Sequence, residues 1–386
     1  MNTIEREQLL ERVSRSTNDF RVTALLGPRQ CGKTTLARAF KVSRENYFDL
    51  EDPPDQARLA NPRDVLSPLK NLIVIDEFQT LPELFPILRV LSDRKPNPAR
   101  LLILGSASPQ LVKGAEESLA GRVNFIHMSG LNCAEVGTET RNQLWLRGGF
   151  PESYLSHSDQ QSLKWRNAFI QTFLRQDLPS FGIQANTERL RRFWIMAAHY
   201  HGQTWNSSGI ASSLDISHTA ARNYLDILAE SLVMRQLSPW LPNIKKRLVK
   251  APKVYLRDSG ILHSLLQIDT VASLQSNPRY GASWEGFALE QLIAILDLNP
   301  DDLFYYRTHG GTEMDLIVRQ QGKLYGFEFK TTEKPSVTHS MTVAQKDLDL
   351  EAVYLVHPGE LSFPLRDRMW ALGYQQLPSF TIGDSL

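Results

Sequence analysis

The run Gly27-Pro28-Arg29-Gln30-Cys31-Gly32-Lys33-Thr34, extended by Thr35, sets two glycines, an ammonium and two hydroxyls in the spacing G-x-x-x-x-G-K-[ST]. Glycine takes backbone angles that other residues resist, so such a loop can turn successive N–H groups toward one anion. A lysine at its end reaches the β- and γ-phosphates of a nucleotide, and the next hydroxyl binds Mg²⁺. The whole stretch from Gly27 to Thr35 is therefore read as nucleotide-contacting, with ATP and Mg²⁺ as the expected ligands, Lys33 on the phosphates and Thr34 on the metal. Cys31 is read as a small loop residue.

Leu72-Ile73-Val74-Ile75-Asp76-Glu77 ends four apolar residues in two carboxylates. That pattern places both acids at the carboxyl end of a central strand, where α/β folds bind their ligands. Asp76 suits the Mg²⁺ shell, and Glu77 suits a base that polarises an attacking water. Ser106, after the apolar run Leu101–Leu104, is a candidate to orient that water. Arg122, in Gly121-Arg122, has two readings: a guanidinium presented to the γ-phosphate of a neighbouring subunit, or a surface salt-bridge residue.

A second set of carboxylates lies near the carboxyl end. Gly311–Val318 and Lys323–Lys330, joined through Gln321-Gly322, read as a strand hairpin, with Asp315 on one strand and Glu328-Phe329-Lys330 ending the other. Alternation puts Glu328 and Lys330 on one face. Asp315 and Glu328 converging on Mg²⁺, with Lys330 beside them, would supply the parts of metal-dependent phosphodiester cleavage. Glu285, on the amphipathic stretch Trp284–Leu292, is a further candidate ligand. The other reading of this set is a fold kept only for binding or assembly.

The middle of the chain carries Ile210–Ser217 and then His218–Leu228, spaced as helix, tight turn and second helix, with Ser217 as the cap. Ala220, Ala221, Tyr224, Leu225 and Leu228 fall on its buried stripe, leaving His218, Thr219, Arg222 and Asn223 for phosphate or base-edge contact. Leu232–Leu237 fits the wing of a winged helix. The run Lys245, Lys246, Arg247, Lys250 and Lys253 makes DNA a candidate partner, and a solvated basic face is the alternative.

The elements that must hold these residues are legible from apolar periodicity. Val22–Leu26, Tyr47–Leu50, Leu72–Ile75, Leu101–Leu104 and Val123–His127 read as buried strands, alternating with helices at Thr34–Phe40, Asp55–Leu59, Pro82–Ser92 and Pro109–Leu119. This is an α/β parallel sheet. A chain of 386 residues exceeds one core, and the expected division is a P-loop domain over 1–135, a helical connector or lid over 136–185, a winged helix over 186–250 and a nuclease-like α/β domain over 251–386. With 42% hydrophobic and 22% charged residues the chain should fold rather than remain disordered. A net charge of +1 excludes a polycation, and two cysteines exclude a disulfide framework. No apolar run nears the ~20 residues of a membrane span, so no membrane partner is expected. The polar amino terminus gives a cytoplasmic expectation.

The segments GPRQCGKTTLA, YFDLED, LIVIDEFQ, LLILGSAS and SLAGR, followed by GGFPE, QTFLRQDLP and KRLVKAPKVYLRDSGIL, resemble the AAA+ ATPases that carry an AAA domain followed by a domain of unknown function. The likeness runs from about Phe20 to Lys330. It implies a homo-oligomer, hexameric or of another number, and with it a trans-acting Arg122. Ser106 stands where many AAA+ proteins have Asn. Glu285, Asp315, Glu328 and Lys330 together resemble the PD-(D/E)xK nuclease superfamily, which implies a restriction-endonuclease-like fold for the tail.

Overall fold

A computed structural model describes residues 4–96, 99–106, 114–115, 117–180, 186–241, 246–332 and 334–384. Its packing divides the chain into two units. One runs to Gly130 and includes Glu230–Leu232; the other holds Leu131–Ala229 and everything from Val233 onward.

The first unit is a five-stranded parallel sheet: β1 (Val22–Gly27), β2 (Tyr47–Asp49), β3 (Asn71–Asp76), β4 (Ala99–Ser106) and β5 (Val123–His127), in the order β2-β3-β4-β1-β5. Its helices include α1 (Glu7–Asp19), α2 (Lys33–Arg38), α3 (Pro53–Arg58) and α4 (Leu84–Ser92). Val22, Ala24, Leu26, Ile73, Ile75, Leu101 and Ile103 join Leu84, Phe85 and Leu88 of α4 in one buried cluster. Strands covered on both faces read as continuous apolar runs, which is why β1, β3 and β4 stand out in the sequence, while β2 and β5 are shorter and only partly buried. Register then fixes the chemistry: Gly27 lies beside Ser106, and Asp49 beside Asp76, so the ends of four adjacent strands share one carboxyl edge. Most of the expected helix Pro109–Leu119 lies outside the described residues.

The second unit is built on a nine-stranded sheet. Of the segment expected as a connector or lid over 136–185, residues 181–185 lie outside the described residues and 136–180 belong to this unit. There α5 (Arg141–Arg147) inserts Trp145 against Trp284 and Phe287, with its indole N–H donating to Ser283 Oγ at 2.9 Å. Truncating so large a buried ring costs about 3–5 kcal/mol, so this helix is core rather than linker. Phe150, Phe169, Phe173 and Trp194 continue the aromatic packing through α6 (Asp159–Thr172) to α7 (Thr187–His199).

After α7 come β6 (Gln203–Thr204), α8 (Ser207–Leu214), α9 (His218–Glu230), β7 (Met234–Pro239) and β8 (Lys253–Leu256). Both β6 and β7 pair antiparallel with β8. The Ser217 hydroxyl accepts the Ala220 N–H at 3.0 Å, capping α9 as its sequence implies. β7 also pairs parallel with the next strand in the sheet, β9 (Leu303–Arg307), so the regions expected as separate domains at 186–250 and 251–386 share one sheet. Between β8 and β9 lie α10 (Ser259–Leu265) and α11 (Tyr280–Ile295). Beyond β9 follow β10 (Glu313–Gln320), β11 (Lys323–Phe329), α12 (His339–Leu348), β12 (Ala352–His357), β13 (Phe363–Arg366) and β14 (Met369–Gly373). β9, β10 and β11 form an antiparallel meander, and β12 returns parallel to β11 across α12.

Candidate functional site

The loop after β1 has the conformation its glycines permit. Gln30 and Gly32 both take left-handed angles, with φ of 64° and 103°, and Gly32 leads directly into α2. A Cβ on Gly27 would stand 2.5 Å from the Met128 carbonyl oxygen and 2.8 Å from Cys31 Sγ, so close approach demands glycine there. Cys31 is buried, with its Sγ turned toward Gly27. Lys33 is also buried, and its ammonium donates to the carbonyls of Gly27 and Pro28, each at 3.0 Å. These are weak partners for a cation compared with the charged phosphate oxygens it can reach from the same loop. Arg29 pairs with Glu51 at 3.6 Å. Thr35 is exposed, and Thr34 faces Asp76.

Asp76 is 1% exposed at the end of β3. Burial pushes its pKa up, and hydrogen bonds from the Thr34 hydroxyl and from Tyr47 Oη, at 2.9 Å to Oδ2, pull it back toward the ionised form. Its Oδ1 accepts the Glu77 N–H at 2.9 Å. A hydroxyl and a buried carboxylate in mutual contact at a strand end form a donor set that suits Mg²⁺. Glu77 stands in the left-handed region with φ of 52°, a conformation that turns the chain sharply after β3. Its carboxylate accepts a hydrogen bond from Gln79 Nε2, and Gln79 Oε1 accepts the Ser106 backbone N–H at 3.2 Å. Ser106 is buried, and its hydroxyl has no partner among the described residues. Lys33, Thr34, Asp76, Glu77 and Ser106 are thus brought to one edge.

Arg122 is not at that edge. It precedes β5, whose first residue pairs with Val22 at the amino end of β1, and five residues of strand separate it from Gly27, about 17 Å. It donates to both carboxylate oxygens of Asp93, at 2.6 and 3.0 Å. The surface salt bridge is therefore present, and this arginine is out of reach of its own chain's loop.

The carboxyl-terminal acids also meet, around a residue that had been read as surface. Lys253 is 1% exposed, and its Nζ lies 2.7 Å from Glu285 Oε1, 2.7 Å from Glu313 Oε1 and 2.8 Å from Asp315 Oδ1. Glu328 is buried, with Oε1 2.8 Å from Lys330 Nζ and Oε2 without a partner among the described residues. Burial, reinforced by the Asp315 charge, pushes Glu328 up to about 8. The same causes push Glu285 up to about 7, against the opposing charge of Lys253. Burial would raise Asp315 as well, but Lys253 and then Lys330 outweigh it and hold the carboxyl low. The expected Mg²⁺ on Asp315 and Glu328 does not fit this arrangement. An ammonium fills the space, and no group of three or more acids, histidines or cysteines among the described residues is arranged to hold a metal ion.

Lys253 also leaves the basic run expected to face nucleic acid. Lys246 pairs with Asp347, Lys245 lies outside the described residues, and Arg247 and Lys250 remain exposed. His218, Thr219, Arg222 and Asn223 are exposed on α9 as expected. No helix among the described residues is long and apolar enough to cross a membrane.

Four participants escaped the sequence reading: Tyr47, Gln79, Lys253 and Glu313. A signal existed for two of them. Gln79 follows Glu77 by two residues, and Lys253 opens a four-residue strand, Lys253-Val254-Tyr255-Leu256, that is buried throughout and so must neutralise its one charge.

Residues 19–137 match the family model described as AAA domain, residues 138–272 one described as Domain of unknown function (DUF8612), and residues 280–377 one described as Domain of unknown function (DUF4143). Proteins of Mycobacterium tuberculosis and Mycobacterium bovis, each described as uncharacterized, are 50% identical over 375 residues, 97% of this chain and 85% of theirs. Among solved structures, the Walker-type ATPase of Pyrococcus abyssi matches with a TM-score of 0.50 at 15% identity, over 68% of this chain and 96% of its own. That likeness is one of fold. Taken with the phosphate loop and the acids of β3, these matches place the chain in the family of AAA+ ATPases that carry an AAA domain followed by a carboxyl-terminal domain of unknown function.

Proposed function

We propose that the first unit binds ATP with Mg²⁺ and hydrolyses it, and that the nucleotide state repositions the second unit on DNA. The observation that carries this is the convergence of Lys33, Thr34, Asp76, Glu77 and Ser106 on one carboxyl edge. In this reading Lys33 exchanges the carbonyls of Gly27 and Pro28 for the β- and γ-phosphates, which the loop amides cradle. Thr34 and Asp76 would hold Mg²⁺, which when bound would neutralise charge on the phosphates. Glu77, once released by Gln79, polarises the attacking water, and the Ser106 hydroxyl orients it. Arg122 serves a neighbouring copy, because it cannot reach its own chain's loop. The protein therefore works as an oligomer.

For the second unit, α7, β6, α8, α9, β7 and β8 follow the order of a winged helix, and the exposed face of α9 is its DNA-contacting surface. From α11 to β12 the order helix, three antiparallel strands, helix, parallel strand agrees with a nuclease-like fold. Loss of the γ-phosphate biases a bistable arrangement, and the attached body moves. ATP turnover measured with and without duplex DNA tests the reading. Stimulation that disappears in Arg222→Ala and Asn223→Ala supports it. Turnover indifferent to DNA in every form removes DNA from it and leaves a nucleotide-switched protein-binding module.

A further inference from the structure

The cluster around Lys253 is assembled from three elements: β8 brings the lysine, α11 brings Glu285, and β10 brings Glu313 and Asp315. An ammonium has three N–H donors, and here three carboxylate oxygens at 2.7–2.8 Å accept them, which satisfies it fully. Tyr255, two residues along β8, donates its hydroxyl to the same Glu285 oxygen at 2.6 Å. Mg²⁺ requires six oxygens near 2.0–2.1 Å. To use these acids it would have to displace a buried cation that has no other carboxylate to go to along its own strand. The surrounding charges come within one of balancing, three cations against four acids. Lys253, Lys330 and Arg307 face Glu285, Glu313, Asp315 and Glu328, with Arg307 3.4 Å from Glu313. The excess acid is the buried Glu328, whose Oε2 has no partner among the described residues.

We propose that Lys253 is the resident cation of this cluster, that it closes the site to divalent metals, and that removing its ammonium converts the same acids into a divalent-cation site. In the intact protein the cluster is a clamp that ties β8 to α11 and β10. It does not cleave phosphodiesters. The proposal goes beyond the ATPase reading and does not depend on it, since the comparison below is a difference between proteins that share the same nucleotide loop.

The test is Mn²⁺ binding to the full-length chain without nucleotide, counting free Mn²⁺ by electron paramagnetic resonance. Wild type and Asp315→Asn should bind the same number of ions, and Glu285→Gln, run in parallel, should agree. Lys253→Ala should bind about one more Mn²⁺ per chain than wild type, and its melting temperature, lowered in chelator, should rise when Mn²⁺ is added. A bound ion that wild type loses on Asp315→Asn or Glu285→Gln overturns the proposal, because the site would then already be open. It is equally overturned if Lys253→Ala binds no more Mn²⁺ than wild type, or stays unfolded at millimolar Mn²⁺, because the acids would then not accept a metal in place of the ammonium.

Discussion

Gln79 donates its side-chain N–H to the carboxylate of Glu77, while its carbonyl oxygen accepts the backbone N–H of Ser106. One carboxamide thus ties the proposed base on the turn after β3 to the carboxyl end of β4. A charged carboxylate held this way is oriented toward Gln79 rather than toward a water on the phosphate. Gln79 is a positioning residue that restrains Glu77.

Gln79→Ala should therefore raise basal ATP turnover. A hydrogen bond to a charged group contributes about 1.5 kcal/mol, so releasing it predicts a rise in kcat of about tenfold. Steady-state phosphate release checks this; an unchanged or lower kcat means the bond holds Glu77 in its working position.

Tyr47 bears on the metal instead. Its hydroxyl donates to Asp76, whose burial already pushes the carboxyl up. Tyr47→Phe removes a hydrogen bond to the ionised form, so protonation becomes easier and Mg²⁺ binds less well. The Mg²⁺ concentration for half-maximal turnover should rise about tenfold at neutral pH, and the deficit should shrink as pH increases. Equal Mg²⁺ dependence in the two proteins would show that Tyr47 is only a packing residue.

Arg122 separates cis from trans roles. Arg122→Ala breaks an exposed pair with Asp93, so its melting temperature should stay near wild type while turnover falls by orders of magnitude. Mixing it with Glu77→Gln should restore activity above either protein alone. The mixed interface joins an intact site on one subunit to an intact arginine on the next. Mixtures no more active than their parts would confine Arg122 to its salt bridge.

Acidity should act on the second unit through Glu328 and Glu285. Their ordinary value is 4.5, and burial pushes them up to about 8 and about 7. Between those values the folded protein keeps protons that the unfolded chain has released, so stability is greatest at the acid end and falls as pH rises toward 8. Melting curves from pH 6.5 to pH 8.5, above the range in which the buried and therefore neutral His201 and His263 add stability as pH rises, should decline, and Glu328→Gln should flatten the decline. A melting temperature that climbs over this range contradicts the charge balance described for the cluster.

The phosphate loop, the acids of β3 and all five parallel strands were legible because each is a contiguous pattern. Gly27 to Thr35 carries its own geometry, and a strand buried on both faces cannot hide its apolar run. Lys253 was misread because its neighbours in sequence are exposed cations, whereas its partners are 32 to 62 positions away on α11 and β10. Short-range periodicity likewise found the helices of 136–185 without saying which body they pack on; the Trp145 contacts with Trp284 and Phe287 decide that. Asp315 and Glu328 lie close enough for the charge of the first to raise the second. Their partner was set by topology, which only the strand pairing reveals.

ATP turnover is expected at the edge formed by β1, β3 and β4. Release of labelled phosphate from γ-labelled ATP, with nucleotide retention measured on the same samples, tests it most directly. Turnover in wild type, loss of binding in Lys33→Ala, and retention without turnover in Glu77→Gln are the predicted results. Wild type that holds no nucleotide with Mg²⁺ present, or Glu77→Gln that hydrolyses as fast as wild type, would contradict the account.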